Sequence, residues 1–417
     1  MPPESPDDHA SENRWLSIVG IGEDGIAGLG ENARAAIGAA TVVFGGHRHL
    51  ELASPLIRGQ ARPWPTPFDP SMRDVLEFRG APACVIASGD PFFFGVGATL
   101  ARHLPAAEFV SFPAPSSFSL AASRLGWPLQ DIETISLHGR PLDLIRPFLH
   151  PSRRLLALTS DGRGPAALAR LLCETGFAGS KMTVLEALGG PAERIRSSDA
   201  EGFSFSQVSD LNVVAIEVVA SRSARILSLA AGLDDDLFEH DGQITKREIR
   251  AITLSALAPR LGELLWDVGA GSGSIGIEWM LTHPSMRAVA IEADPTRAER
   301  AGRNAHAFGV PGLRIVQGKA PEAMAGLEAA DAVFIGGGGS DPGVLDAALS
   351  GLKPGGRLVA NAVTTEMEAV LLAAQARLGG NLLRLQVNRL AEVGSMHGWR
   401  AAMPVTQWTW IKHGERQ

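Results

Sequence analysis

Cysteine is scarce in this chain. The 417 residues hold two, Cys84 and Cys173, too few for a disulfide framework, and each sits in an apolar pattern that predicts a buried thiol. That usage fits a reducing compartment. Long hydrophobic runs are lacking too: no uninterrupted apolar stretch reaches the length of a membrane span, and no charged-then-apolar leader opens the sequence. No block interleaves Lys or Arg with aromatics and the net charge is -7, which disfavours a nucleic-acid partner. A nucleophile triad and a metal-ligand cluster are likewise missing from the pattern. The expectation is a soluble, cytoplasmic protein with no membrane, nucleic-acid or metal partner. At 45% hydrophobic content, there is material for two or three domains. Residues 1–13 are polar, acidic and Pro-containing, and read as a disordered lead-in.

What the chain does have is one organising stretch, 264–278 (LLWDVGAGSGSIGIE). A short apolar run ends at Asp267, a turn follows through Gly269, Ala270, Gly271, Ser272 and Gly273, and an amphipathic pattern resumes at Ile275. That is strand, tight turn, helix. The glycines permit positive φ and a close backbone approach, and the helix start offers unpaired N–H groups. Dinucleotide folds use a similar turn. A carboxylate ending the strand would repel a pyrophosphate but suits the amino group or sulfonium of S-adenosylmethionine, so Asp267 favours a methyl donor. A second strand at 288–291 ends at Glu292, where an acid accepts from ribose hydroxyls. Helical spacing follows over 297–307. Strands and loops at 313–320, 331–339 and 352–359 continue the alternation, with Lys319, Ala320, Gly336 and Gly337 at strand ends.

Upstream, 220–232 reads as a short helical connection and Asp234, Asp235 and Asp236 as a charged break. Thr245 is a candidate N-cap, with Glu248 completing a capping box, and Lys246 and Arg250 then share one helix face. The expected division is a domain over 14–222 with subdomains of about 14–112 and 113–222, a linker over 223–240, and a second domain over 241–417.

The N-terminal half alternates strands (15–19, 40–44, 83–87, 108–112, then 133–137, 154–158, 182–187, 213–219) with helical spacing at 33–37 and 118–125. A parallel or mostly parallel sheet with helices on it follows from the order of the first four strands. Polar residues collect in the loops after strands, where such sheets bind ligands. Phe92, Phe93 and Phe94 read as core rather than as an aromatic shelf. His47 and Arg48 are either a solvated corner or contacts to an anionic ligand, and His138 is either a loop histidine or a general base.

Taken in order, Gly20-x-Gly22, Ser88-Gly89-Asp90-Pro91, Pro113-x-Pro115-Ser116-Ser117 and Ser136-Leu137-His138-Gly139-Arg140 resemble the tetrapyrrole (corrin/porphyrin) methyltransferase family. Gly45-Gly46-x-Arg48-His49-Leu50 and the His-Gly-Arg run resemble its branch acting late on the corrin ring. The family's first turn usually carries a proline, GxGPG, where this chain has Glu23 and Asp24. The resemblance implies a donor folded between two α/β subdomains, held by Gly20, Gly22, Ser88, Gly89, Asp90, Phe93, Ser116 and Ser117. The C-terminal half is similar to class I S-adenosylmethionine methyltransferases with a Rossmann-like fold. Its Ile244-Thr245-Lys246, 318–323 and 336–339 runs resemble the subfamily that methylates and decarboxylates precorrins. There the donor residues would be Thr245, Asp267, Gly269 to Gly273, Glu292, Lys319, Ala320, Gly336 and Gly337. Lys319 stands where an Asp often meets adenine, which leaves that contact to the backbone.

Together the resemblances span nearly the whole chain and imply an α/β fusion enzyme of cobalamin biosynthesis with one S-adenosylmethionine site per domain. The N-terminal domain would methylate ring carbon 5. The C-terminal domain would methylate carbon 15 and release carbon dioxide from the ring-C acetate. Methyl transfer needs alignment above all, and decarboxylation needs an oriented carboxylate shielded from water. An anionic tetrapyrrole needs local cations, for which Arg48, His138, Arg140, Lys246, Arg247, Arg389, His397 and Arg400 are candidates. A homo-oligomer and contacts with neighbouring pathway enzymes are also expected. Three other readings stand beside this one: a methyltransferase acting on RNA or protein with a passenger N-terminal half, a nicotinamide-dependent oxidoreductase, and an N-terminal half that binds the macrocycle without catalysis.

Overall fold

The computed structural model describes residues 14–413, so the lead-in expected over 1–13 lies outside the described residues. The chain forms two compact units, one holding the chain up to Arg140 with His150–Arg225, the other Pro141–Leu149 with the chain from Ile226.

In the first unit, β1 (Leu16–Ile21), β2 (Val42–Gly45), β3 (Gln60–Pro63), β4 (Ala83–Ser88) and β5 (Phe109–Phe112) form a parallel sheet in the order β3-β2-β4-β1-β5. Alternate side chains enter opposite cores, as the pleat requires. Leu16, Ile18, Val42, Phe44 and Val85 lie on one face, and Val19, Ile21, Val43, Cys84 and Ile86 on the other. A second sheet, β6 (Glu133–Ser136), β7 (Arg154–Leu158), β8 (Lys181–Glu186), β9 (Arg194–Asp199) and β10 (Asn212–Glu217), has the order β6-β7-β10-β8-β9. Only its β6–β7 pair is parallel. The edge strands β3 and β9 are polar and largely exposed, so no apolar run betrays them in the sequence.

The second unit holds β11 (Leu264–Val268), β12 (Arg287–Glu292), β13 (Arg314–Gln317), β14 (Ala330–Ile335), β15 (Leu352–Ala362), β16 (Asn381–Leu385), the hairpin β17 (Asn388–Val393) with β18 (Met396–Ala401), and β19 (Val405–Ile411). The main sheet runs β13-β12-β11-β14-β15-β19-β16, parallel except for β19, which is antiparallel to both neighbours. Trp266, Val289, Ile291 and Val333 fill one face, and Leu265, Ala290, Ala332 and Phe334 the other.

Three local expectations are corrected. The stretch 220–232 is not helical. The Gly232 and Leu233 N–H groups donate to the Glu278 carboxylate at 2.7 and 3.0 Å, and Leu227 and Leu233 are buried, so tertiary partners replace the helical ones. Thr245 is not an N-cap: the helix Arg247–Leu257 starts after Lys246, with no side-chain cap. Thr245 instead offers its carbonyl to Arg250, which is fully buried against Glu278 and Asp235 and shares no solvated face with Lys246. Cys173 is exposed, while Cys84 is buried. In the helix Gly164–Glu174 the inward positions are Leu168, Ala169, Leu171 and Leu172, and the next residue turns about 100° further round, toward water.

Candidate active sites

In the first unit β4, β1 and β5 are adjacent, which brings their carboxyl-terminal loops together. The Gly89 N–H donates to the Ile21 carbonyl at 3.0 Å and the Ala114 N–H to the Gly89 carbonyl at 3.2 Å. A Cβ on Gly20 would fall 1.8 Å from that Gly89 oxygen and 2.7 Å from the Ala114 nitrogen, so only glycine lets the three loops touch. Ser116 caps the helix Ser117–Leu125, accepting from the Ser119 N–H. Two hollows adjoin there. One is lined by His49, Ser88, Asp90, Phe93, Phe94 and Ser116, the other by Gly22, Glu23, Ser88, Gly89, Ala187 and Asn212. Ser117 and Leu158 border both.

The three phenylalanines are not core. Phe92, Phe93 and Phe94 are 39, 40 and 50% exposed, because the Asp90 carboxylate accepts from the Phe92 N–H at 2.9 Å and the resulting turn directs successive rings outward. Phe93 and Phe94 lean edge-on against Phe118 and form a shelf in the first hollow.

Arg48 pairs with Glu23 and donates to Ser88 Oγ and His49 Nε2, each at 2.8 Å. The residue that replaces the family's proline therefore anchors the cation. Burial, with the Arg48 charge adding, pushes His49 down to about 4, so its imidazole is neutral and accepts from Arg48. His138 and Arg140 are exposed after β6 and line neither hollow; His138 Nδ1 lies 3.4 Å from the Thr159 carbonyl, and Arg140 donates to the Ser136 carbonyl at 3.3 Å.

In the second unit the strand order reverses between β11 and β14, the usual ligand crevice of an open α/β sheet. Gly269 has φ +70, and a Cβ there would lie 2.5 Å from the Gly337 carbonyl oxygen, so the two glycine loops meet backbone to backbone. Asp267 is 1% exposed and accepts from the Gly276 N–H at 2.9 Å. Burial pushes its carboxyl up to about 7; the Gly276 N–H opposes this and the Glu292 charge adds to it. Behind the loop, Glu292 accepts from the N–H groups of Gly271 at 2.7 Å and Asp294 at 3.0 Å. Ser272 Oγ is buried without a hydrogen-bond partner among the described residues.

A cleft of about 690 Å³ runs from Asp267 along Gly269, Ala270, Gly271 and Ser272 and past Gly336 and Gly337. Thr245, Lys246, Asn361 and Arg389 also line it. One wall is a strap over 242–246. Arg297 ties its start through Asp241 and Gln243, both at 2.9 Å, and Arg250 ties its end through the Thr245 carbonyl. Gly273 begins the helix behind the loop. Lys319 pairs with Asp341 at 3.1 Å, and neither it nor Ala320 lines the cleft. Arg247 pairs with Asp234 and Arg389 with Glu248, while His397 and Arg400 sit exposed on β18 outside the lining. Sequence reasoning missed Gln243, Val387 and Met403 as lining residues; only Gln243, beside the Ile244-Thr245-Lys246 run, had a signal. Among the described residues, no group of three or more His, Cys, Asp or Glu is placed to hold a metal, and no helix is long and apolar enough to cross a membrane.

Comparison with known proteins supplies the family. The Tetrapyrrole (Corrin/Porphyrin) Methylases profile matches 16–203 and the Precorrin methyltransferase domain profile 236–412. Precorrin-6Y C(5,15)-methyltransferase [decarboxylating] of Sinorhizobium sp is 63% identical over 398 residues, covering 95% of this chain and 96% of its own. The chain belongs to the precorrin-6Y C(5,15)-methyltransferase (decarboxylating) family. The Mycobacterium tuberculosis (strain ATCC 25618 / H37Rv) protein of the same name is 43% identical, over 95% of this chain and all of its own. A shorter relative, the cobalt-precorrin-6B C(15)-methyltransferase (decarboxylating) of Salmonella typhimurium (strain LT2), is 36% identical over 42% of this chain and 92% of its own. The two sheets of the first unit are the tetrapyrrole methylase fold and the seven-stranded sheet is the class I methyltransferase fold.

Proposed function

We propose that this enzyme works through two donor sites, one in each half. The reaction is methylation of precorrin-6Y at C5 and C15 with decarboxylation, in cobalamin biosynthesis, and the enzyme is S-adenosylmethionine-dependent. One observation carries the two-site reading: in both halves, glycine loops at the ends of parallel strands touch where a Cβ would collide, a cradle for a nucleoside-bearing ligand. We assign C15 methylation and decarboxylation to the C-terminal half, because a relative named for that pair alone aligns over 179 residues, about the span that the Precorrin methyltransferase domain profile matches at 236–412.

The donor fits the C-terminal residues. Asp267, a buried carboxyl, would take the cationic end. Glu292 would accept from the ribose, and the partnerless Ser272 hydroxyl would gain a bond. S-adenosylmethionine supplies an electrophilic methyl group; the protein's task is to hold donor and acceptor carbon in line and keep water out. In the N-terminal half the hollow that Gly22 and Gly89 border would take the donor and the Phe93–Phe94 shelf the flat face of the macrocycle. Lys246 and Arg389 line the cleft, and Arg48 donates to Ser88 on the wall of both hollows; these three are our carboxylate anchors. A cytoplasmic location agrees with two unpaired thiols. Self-association agrees with the Leu390 and Trp399 side chains, 60 and 74% exposed on the hairpin.

Calorimetric titration of the full chain with S-adenosylhomocysteine tests this reading. Two binding events per chain are expected, and Gly269→Ala should abolish one of them. A single event in the wild type would refute the two-site reading.

A further inference from the structure

The C-terminal cleft has a polar floor outside the residues proposed for the donor. Asn361, at the end of β15, donates from Nδ2 to Thr253 Oγ1 at 2.9 Å and accepts at Oδ1 from Gln407 Nε2 at 3.0 Å. Gln407 Nε2 also reaches Thr253 Oγ1 at 3.2 Å. Thr253 and Gln407 are 0 and 2% exposed, so the carboxamide is held from below by side chains that cannot move into water. A carboxamide has two N–H donors and two carbonyl lone pairs. After these bonds Asn361 keeps one N–H and one lone pair, and it lines the cleft. Its apolar companions there include Ile249, Val363, Val387, Met403 and Val405. The cations are compensated and partly exposed: Lys246 faces Asp235 at 3.8 Å, and Arg389 pairs with Glu248.

We propose that Asn361 is the residue that holds the substrate carboxylate lost as carbon dioxide, with Thr253 and Gln407 as its positioning residues. This rests on the assignment of decarboxylation to the C-terminal half. The bond between the acetate methylene and the carboxyl carbon breaks, and its electron pair passes into the conjugated ring. Carbon dioxide leaves, and a proton from solvent on the methylene completes a methyl group. The carboxylate loses its charge in this step. A guanidinium clamp would stabilise the charged ground state more than the transition state and slow the reaction. One neutral, pre-positioned N–H orients the group with less of that penalty, and an apolar wall favours the uncharged product over the ion.

The test uses full-length protein with precorrin-6Y and S-adenosylmethionine. Carbon dioxide release, the mass of the tetrapyrrole product and S-adenosylhomocysteine affinity are read in wild type, Asn361→Asp and Asn361→Ala. Asn361→Asp keeps its size and can still accept from Gln407 and, after rotation of the hydroxyl, from Thr253. Carbon dioxide release should slow about tenfold or more, because the carboxylate is no longer held in line with the ring, and more in the aspartate variant, which repels the carboxylate. Product still carrying the carboxyl should accumulate while inhibitor affinity stays within about twofold. Release at the wild-type rate in both variants would overturn the proposal. So would a parallel loss of inhibitor affinity, which would make Asn361 part of the donor site or a structural floor. A wild type that releases no carbon dioxide would instead refute the parent reading.

Discussion

Replacing Asp267 with asparagine should remove the pH dependence of donor binding in the C-terminal cleft. The carboxyl moves from 3.8 in the unfolded chain to about 7 in the fold, chiefly through burial. For an acid shifted upward the sign is destabilising. The fold loses nothing below the unfolded value, loses stability as pH rises from there toward 7, and stays at a constant deficit above it. Roughly three pKa units at about 1.4 kcal/mol each give about 4 kcal/mol. A cationic donor reverses the preference, because it needs the ionised carboxylate. Donor affinity should therefore be level above pH 7 and fall about tenfold for each unit below it. Binding should release close to one proton at pH 6 and close to none at pH 8. Calorimetry with S-adenosylmethionine at pH 6, 7 and 8, in buffers of unlike ionisation enthalpy, reads both quantities. Asp267→Asn should bind weakly and without proton release, yet melt higher than wild type at pH 8 in the absence of donor. Wild-type affinity that is flat between pH 6 and 8, with no proton released, would refute the reasoning.

Two further perturbations probe the scaffolds. Gly20→Ala places a methyl group 1.8 Å from the Gly89 oxygen, so it should eliminate one inhibitor-binding event and leave the proton-releasing one; survival of both would contradict the loop contact. Arg250→Met leaves Glu278 buried without its counter-ion and should cost about 3–5 kcal/mol, read by urea unfolding. It should also weaken C-terminal donor binding by freeing the Thr245 carbonyl, and a cost below about 1 kcal/mol would show the pair to be unimportant.

Much of this protein was legible in the sequence because the relevant physics is local. Strands β1, β4, β11, β12 and β14 are short apolar runs whose alternate side chains face two cores, and each is interrupted by the residues that must turn the chain. The α/β architecture follows from that period. Asp267 and its glycines are contiguous, as are the Ser88–Pro91 and Ser116–Ser117 turns, so they could be singled out before their positions were known. Other features depended on partners far away in the chain. Whether Thr245 caps a helix was decided by Arg250 and Glu278, and the path of 220–232 by the same carboxylate. Cys173 and the Phe92–Phe94 run have apolar neighbours in sequence, but a helix face and a side-chain-to-backbone turn set their exposure. The edge strands β3 and β9 carry no apolar signal, since half their pairing surface meets water. Asn361 shows the limit most clearly. Its partner Thr253 lies 108 residues away, and Thr253 and Gln407 are 154 apart. Sequence alone determined the buried strands, the glycine turns and the strand-ending acid on which the proposed donor site rests. Only the tertiary structure decided which polar groups meet, because a hydrogen bond between distant residues depends on where the packed sheet places them.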